Sequence, residues 1–283
     1  MIFFFLFIFG LVIGSFLNVV SLRYDGDHFV LDPRVIGGRS HCPHCKKILR
    51  WFELVPLISF LLQGGRCRNC KARLSIQYPI VEFLYGATFV LVPWRVMMLM
   101  AASPLMWLFA ALWTLIFTVI LLAAIIDLRT GIIPDELNVA LGILAIGLAA
   151  VATALPAGGT SLLGSLGGLF TVSGGVWVSR VIGAAAGFIF FEFLLLVTRG
   201  KGIGMGDVKL ALPLGFIFGY PDIFSVIGFT FICGAIWGVA LIFLKRKTMQ
   251  GALPLAPFLA FSAAFIFFLG APVAQWYLHL LGM

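Results

Sequence analysis

The residues of this sequence best equipped for chemistry are two carboxylates and four thiols. Asp127 closes an apolar stretch in "AAIIDLRTGIIPDELN", and Asp207 opens another in "GMGDVKLALPLG". An acid in such a run is expensive, by about 2.5–3.5 kcal/mol at the centre of a membrane helix and less at its rim. Taken singly, each Asp could simply mark a membrane border. Brought together, the two cannot both stay ionised and must share a proton. The ionised member then takes a proton from water while the protonated member polarises a carbonyl. That is the chemistry of an aspartic protease, and it needs neither a metal nor a nucleophilic side chain. Competing hydrolytic signatures are missing: the sequence has no H-E-x-x-H and no G-x-S-x-G. Its four histidines, His28, His41, His44 and His279, lie away from both acids.

The thiols come in two pairs, Cys42 and Cys45 in "CPHC", and Cys67 and Cys70 in "CRNC", with 21 residues between the pairs. Each C-x-x-C puts two sulfurs on one turn, and two such turns make a tetrahedral four-sulfur site that suits Zn2+. Two disulfides are the alternative, and a cytosolic placement disfavours them because thiols there stay reduced. With four cysteines the shell is complete, so the site is structural and not catalytic. Cys233, alone in an apolar run, reads as packing.

The elements that must position these groups are membrane helices. The 283 residues are 62% hydrophobic and 11% charged, with a mean hydropathy of +1.13, whereas a soluble domain averages about 25% charged. The expected fold is an all-α polytopic membrane protein with about eight transmembrane helices, near 2–20, 79–99, 104–126, 132–154, 178–198, 208–219, 222–244 and 254–280. The sixth is short for a full crossing. The first has no basic segment before it and no small-x-small cleavage site, so it reads as a retained helix and not a removed signal peptide. Residues 1–20 form transmembrane helix 1, 21–77 a small cytosolic zinc-binding domain between helices 1 and 2, and 78–283 a membrane-embedded core of about seven helices. The uncharged, glycine-rich stretch 157–175 has no assigned role, nor has Glu192 inside the fifth span.

Counted on alternate sides of these spans, all 19 basic residues except Arg95 and Arg180 fall on one side. Basic residues favour the cytoplasm, which places the polar domain there and both termini outside. The net charge of +8 is thus mostly a topology signal, and nucleic acid is not an expected partner. Two spans separate Asp127 from Asp207, so both acids belong to the cytoplasmic rim and meet if the third and sixth helices pack together. Gly202, Gly204 and Gly206 are expected to free the backbone for positive φ and close approach. Asp207 would sit at a helix N-terminus and Asp127 near a C-terminus. The helix fields then make Asp207 the base and Asp127 the holder of the shared proton. Asp135 and Glu136 read as helix-capping acids, and Lys209 as a headgroup contact.

Taken together, "GLVIGSFLNVVSLR", "HCPHC…ELVPLISFLLQGGRCRNCKARLSIQYPIVE", "IDLRTGIIPDELN", "GKGIGMGDVKLALPLG" and "ALPLAPFLA" resemble the type IV prepilin peptidases, intramembrane aspartic proteases of the G-x-G-D class. The likeness covers nearly the whole chain. It implies Asp127 and Asp207 as the catalytic pair, and Cys42, Cys45, Cys67 and Cys70 as zinc ligands. It implies a multi-pass protein of the bacterial inner membrane that cleaves type IV prepilins and pseudopilins after a glycine. It also implies N-methylation of the new terminus with S-adenosylmethionine, because family members lacking the cysteine region are typically peptidases only. Glu53 in "ELVP" and Glu82 in "YPIVE" match family positions and are candidates for the methyl-donor site. Their alternative roles are solvating the domain surface and anchoring the second helix. Gln77 stands where the family often has Arg. A leader peptidase without methyl transfer, a proton-coupled transporter and a non-enzymatic scaffold are the competing readings.

Overall fold

A computed structural model describes residues 1–100, 104–154, 161–164, 167, 174–200, 202–244, 253–280 and 282. Lys201 and Lys245–Lys247, counted in the charge asymmetry, and most of the glycine-rich stretch 157–175 lie outside the described residues. Among the described residues the regular structure is helical, with only two isolated β-bridges. The chain divides into two compact units, Met1–Ala101 and Ala102–Met283.

The first unit contains α1 (Ile2–Arg23), α2 (Pro33–Ile36), a 3-10 turn (Trp51–Glu53), α3 (Ile58–Leu62) and α4 (Gln77–Met100). Helix α4 packs along α1. Small residues permit this. A Cβ on Gly10 would lie 2.7 Å from the Tyr85 carbonyl oxygen, and one on Gly14 would lie 2.8 Å from the Tyr85 Cβ. Without a hydrophobic driving force inside a bilayer, such small-x-x-x-small faces let dispersion hold helices together. Gln77 Nε2 donates to Asn18 Oδ1 at 3.1 Å, fastening the start of α4 to the fully buried Asn18 of α1.

The second unit contains α5 (Met106–Thr130), α6 (Asp135–Thr153), α7 (Gly175–Thr198), α8 (Met205–Phe218), α9 (Asp222–Phe243) and α10 (Ala256–Leu280). Helix α5 is its axis: 72% of its apolar stretch is buried within the protein, against 39% or less for every other span. Trp113 meets Phe267 of α10 at 4.6 Å between ring centroids, and Phe229 of α9 stacks on Phe265 of α10 at 4.1 Å.

Among the described residues, seven helices are long and apolar enough to cross a membrane. Helix α8 is not: its 14 residues give roughly 21 Å at 1.5 Å per residue, against a hydrocarbon core of about 30 Å. Its end is nevertheless satisfied. Arg180 of α7 is buried and donates from Nη1 to the Phe216 carbonyl at 3.1 Å, capping one of the carbonyls a helix C-terminus leaves unpaired. The Ser179 hydroxyl donates to the Tyr220 carbonyl at 2.8 Å. Asp222, fully buried next in line, accepts the Ser161 hydroxyl and the Leu162 N–H. The described part of the glycine-rich stretch is therefore tied to the α8–α9 turn. Glycines seat α8 against α7: a Cβ on Gly183 would lie 2.5 Å from the Gly215 carbonyl oxygen.

Candidate active site and metal centre

One end of the second unit gathers the C-terminus of α5 and the N-termini of α6, α8 and α10. Helix α5 closes where the N–H of Gly131, at φ +66°, returns to the Asp127 carbonyl at 2.9 Å. This left-handed closure suits glycine. Asp127 sits one turn earlier, buried, and its Oδ2 accepts the backbone N–H of Ala256 at 3.1 Å. Ala256 is the first residue of α10, where backbone N–H groups have no partner within the helix. Pro257 fits at the next position for the same reason.

Asp207 lies in the first turn of α8. Its Oδ2 accepts the Gly204 N–H at 3.1 Å, while its own N–H bonds the Gly204 carbonyl at 3.1 Å. Each acid thus caps the start of a helix, α10 for Asp127 and α8 for Asp207. The expected asymmetry, with Asp127 in the unfavourable field of a C-terminus, is lost, because α10 brings an opposing N-terminus to the same carboxylate. The two carboxylates lie within electrostatic reach of each other.

Helix α6 is the shared neighbour that brings them there. Helices α5 and α8, expected to pack together, each lie chiefly along other helices, α5 on α6 and α10, and α8 on α7 and α6. They still meet at Trp113 and Phe218, 5.8 Å apart. A salt bridge fixes the level of α8 on α6: Lys209 Nζ donates to both carboxylate oxygens of Asp135, at 2.7 and 2.9 Å. Asp135 was expected to cap α6 and Lys209 to reach for headgroups. In the structure Pro134 precedes α6 with no side-chain cap, and the two residues pair with each other. Gly206 is needed for closeness, since its Cβ would lie 3.3 Å from that of Ile133. The expected positive φ falls on Gly200, at +72°, and not on Gly202, Gly204 or Gly206.

In the first unit the four cysteines converge, with all four sulfurs within 4.8 Å of one another. A Zn–S bond of about 2.3 Å implies tetrahedral edges of roughly 3.8 Å, and the Cys42 and Cys70 sulfurs stand 3.9 Å apart. The residues fit the ion. The two arms are near copies. In each, the N–H of the leading cysteine bonds the carbonyl five residues on (Cys42 to Lys47, Cys67 to Ala72), and a lysine N–H bonds back to that cysteine. Those lysines, Lys46 and Lys71, take φ of +57° and +59°. The repeated C-x-x-C-K pattern was the sequence signal for this geometry. The turns aim backbone N–H groups at sulfur. The Lys47 N–H leads in holding the Cys45 thiol down to about 6, and the Cys70 and Asn69 N–H groups lower Cys67. At Cys70 the Ala72 N–H pulls downward, but desolvation and the other three sulfurs push the thiol up to about 11. A divalent cation relieves that crowding of negative sulfur.

Glu53 and Glu82, too, come together around one cavity of about 600 Å³ in the first unit. Glu82 is buried and its Oε2 accepts the Leu57 N–H at 2.8 Å, while the Glu53 Oε2 accepts the Arg50 N–H at 2.9 Å.

Two family models match this chain: the bacterial peptidase A24 N-terminal domain over residues 8–96, and the type IV leader peptidase family over residues 113–239. The chain is similar to the prepilin leader peptidase/N-methyltransferase of Bacillus subtilis (strain 168), 29% identical and covering 97% of each protein. It is 31% identical to that of Aeromonas hydrophila, over 96% of this chain and 92% of the relative. To that of Burkholderia pseudomallei (strain K96243) it is 32% identical, over 93% and 84%. No solved structure matches.

Proposed function

Because the chain belongs to the type IV leader peptidase family, we propose that it removes the leader from prepilins and pseudopilins and methylates the new N-terminal amine, with Asp127 and Asp207 as the hydrolytic pair. One carboxylate, ionised, takes a proton from a water held between the pair. The water oxygen attacks the scissile carbonyl carbon while the other, protonated, carboxyl gives its proton to the carbonyl oxygen. Collapse of the tetrahedral intermediate breaks the C–N bond: the departing amine takes a proton from the first acid, and a hydroxyl of the intermediate returns one to the second, so the pair ends sharing one proton as it began. Since each acid receives a backbone N–H from a helix start, either can begin as the base.

What supports this reading is that Asp127, near the end of α5, and Asp207, in the first turn of α8, belong to two helices that both pack on α6, and that each accepts a backbone N–H from a helix start. The basic residues favour the cytoplasmic face for that end, where a substrate's basic leader stays in water while its apolar helix enters from the bilayer. The four cysteines hold a structural Zn2+, which when bound supplies a fixed tetrahedral crosslink and takes no part in hydrolysis. S-adenosylmethionine is the methyl donor.

The test is incubation of a purified prepilin peptide with the enzyme and the methyl donor, followed by mass spectrometry. Asp127→Asn and Asp207→Asn each abolish cleavage while still methylating a pre-cut peptide. Wild-type cleavage by either variant overturns the assignment of the pair. Cleavage without any methyl increment leaves a leader peptidase only.

A further inference from the structure

On the helix that both aspartate helices share, one buried polar group takes no part in the hydrolytic scheme. Asn138 lies one turn after Asp135 in α6, and both polar atoms of its amide, Nδ2 and Oδ1, are shut away from solvent with no hydrogen-bond partner among the described residues. A buried donor or acceptor left unpaired is costly, the more so in a bilayer, where water does not stand in. A leucine of nearly the same shape avoids that cost, and α6 carries one on either side, the buried Leu137 and Leu141. The described chain supplies this amide no partner, so the partner it suits comes from outside the chain.

Register sets its place. Leu137, Leu141 and Ala145 mark the face that α6 turns to the protein, while Val139, Ile143 and Ile146 are exposed. Asp135 and Asn138, three residues apart, share one flank of the buried face, and Asp135 is the residue that receives Lys209 from α8. That flank is therefore the one along α8. At the mouth of the same seam Gly206 abuts Ile133. Asp207 is thus about level with the residue after Ile133, and Asn138 stands four residues deeper along α6. Four residues of helix rise about 6 Å, a distance that an extended chain covers with about two residues.

We propose that Asn138 binds the substrate backbone just after the scissile bond, within about the first two residues of the mature segment; the inference rests on the leader-cleavage reading. An extended peptide unit offers one N–H and one carbonyl, and a side-chain amide offers the matching acceptor and donor. The two pair as neighbouring strands do. A peptide unit inside a helix already has both groups engaged, so only an unwound segment can make this pairing. Asn138 thus selects the unwound form of the substrate, whatever side chains that segment carries, and it does so on the bilayer side of the acids, where the apolar part enters. The seam between α6 and α8 must part to admit the peptide. The Lys209–Asp135 bridge across it is exposed and weak, and the unpaired amide itself disfavours the closed arrangement.

A cycle of enzyme and substrate changes decides the matter. Full-length, zinc-loaded enzyme in lipid nanodiscs is assayed on a prepilin peptide and on analogues in which an ester replaces one backbone amide at successive positions after the scissile bond. Asn138→Leu keeps the shape and removes both hydrogen-bonding groups. It is expected to lower kcat/KM on the parent peptide about tenfold, the scale of one or two neutral hydrogen bonds, chiefly through KM, with Tm unchanged or raised. In the wild type, an ester at one of the first two positions is expected to lower kcat/KM by a similar factor, and in Asn138→Leu the same ester is expected to add little. Should Asn138→Leu fail to fold, Asn138→Ala carries the same comparison. Wild-type kcat/KM in a folded variant, or losses that multiply at every ester position, overturn the proposal and leave leader cleavage standing. A wild-type enzyme that leaves the parent peptide uncut removes the cleavage reading and the proposal with it.

Discussion

Replacing the Ala256 amide by an ester, with lactic acid in place of alanine, deletes a single proton donor from the aspartate site. The side chain is kept, which matters because Ala256 is 1% exposed and has no room for a larger group. The lost bond is the N–H to Asp127 Oδ2 at 3.1 Å. Hydrogen bonds to charged groups contribute about 1.5–3 kcal/mol, and each 1.36 kcal/mol is tenfold in rate. If the bond holds Asp127 in its reacting orientation, cleavage of a prepilin peptide should slow about 10- to 150-fold in kcat, with KM little changed. Because Ala256 begins α10, no helical bond is lost on its donor side. The ester does weaken the Leu255 carbonyl, which accepts from Phe258 and Leu259. An ester at Phe258 controls for this, since it removes the bond to Leu255 without touching Asp127. Equal kcat for the two ester proteins would refute the role given to the α10 N-terminus.

The Lys209–Asp135 pair makes a second case. Its side chains are 47% and 64% exposed, so it contributes at most about 1 kcal/mol to stability. Lys209→Met should nevertheless lower kcat more than it moves Tm or KM, because it frees the level of Asp207, and the double reversal Asp135→Lys with Lys209→Asp should restore most of the loss. Gly183→Val sets side-chain atoms against the Gly215 carbonyl; overpacking of this kind costs about 1–3 kcal/mol, visible as a lower Tm in a thermal-shift assay, and an unchanged Tm would show that α7 and α8 can separate. Chelation of the metal should make residues 21–77 sensitive to trypsin and abolish donor binding while leader cleavage continues. Simultaneous loss of cleavage would tie the hydrolytic helices to the ion.

The sequence made the apolar spans, the two acids and the four thiols plain, because each announces itself by composition or by local spacing. What it concealed was carried by groups with no local signature. The Ala256 N–H is backbone; Pro257 could have marked a helix start there, but nothing in the chain says that a distant acid caps it. Lys209 and Asp135 stand 74 residues apart, and their pairing emerges only once α6 lies along α8. Arg180 reads as a charge outside the basic side of the membrane, yet it is buried and serves the last turn of α8. Asp135 was misread for an understandable reason: an acid in a first turn suits the helix field, and tertiary pairing took over a residue already well placed. The positive φ went to Gly200, where the chain leaves α7, so the glycines after it serve approach and not reversal.

A rod about 20 Å long that is gripped at both tips transmits displacement without absorbing it. Helix α8 is such a rod, held by a lysine near the reacting tip and by a guanidinium at the other. Any event that moves Arg180 or its neighbour Asp222 must therefore be felt at Asp207. That remote anchorage is therefore expected to help set the spacing of the two acids, together with the residues beside them.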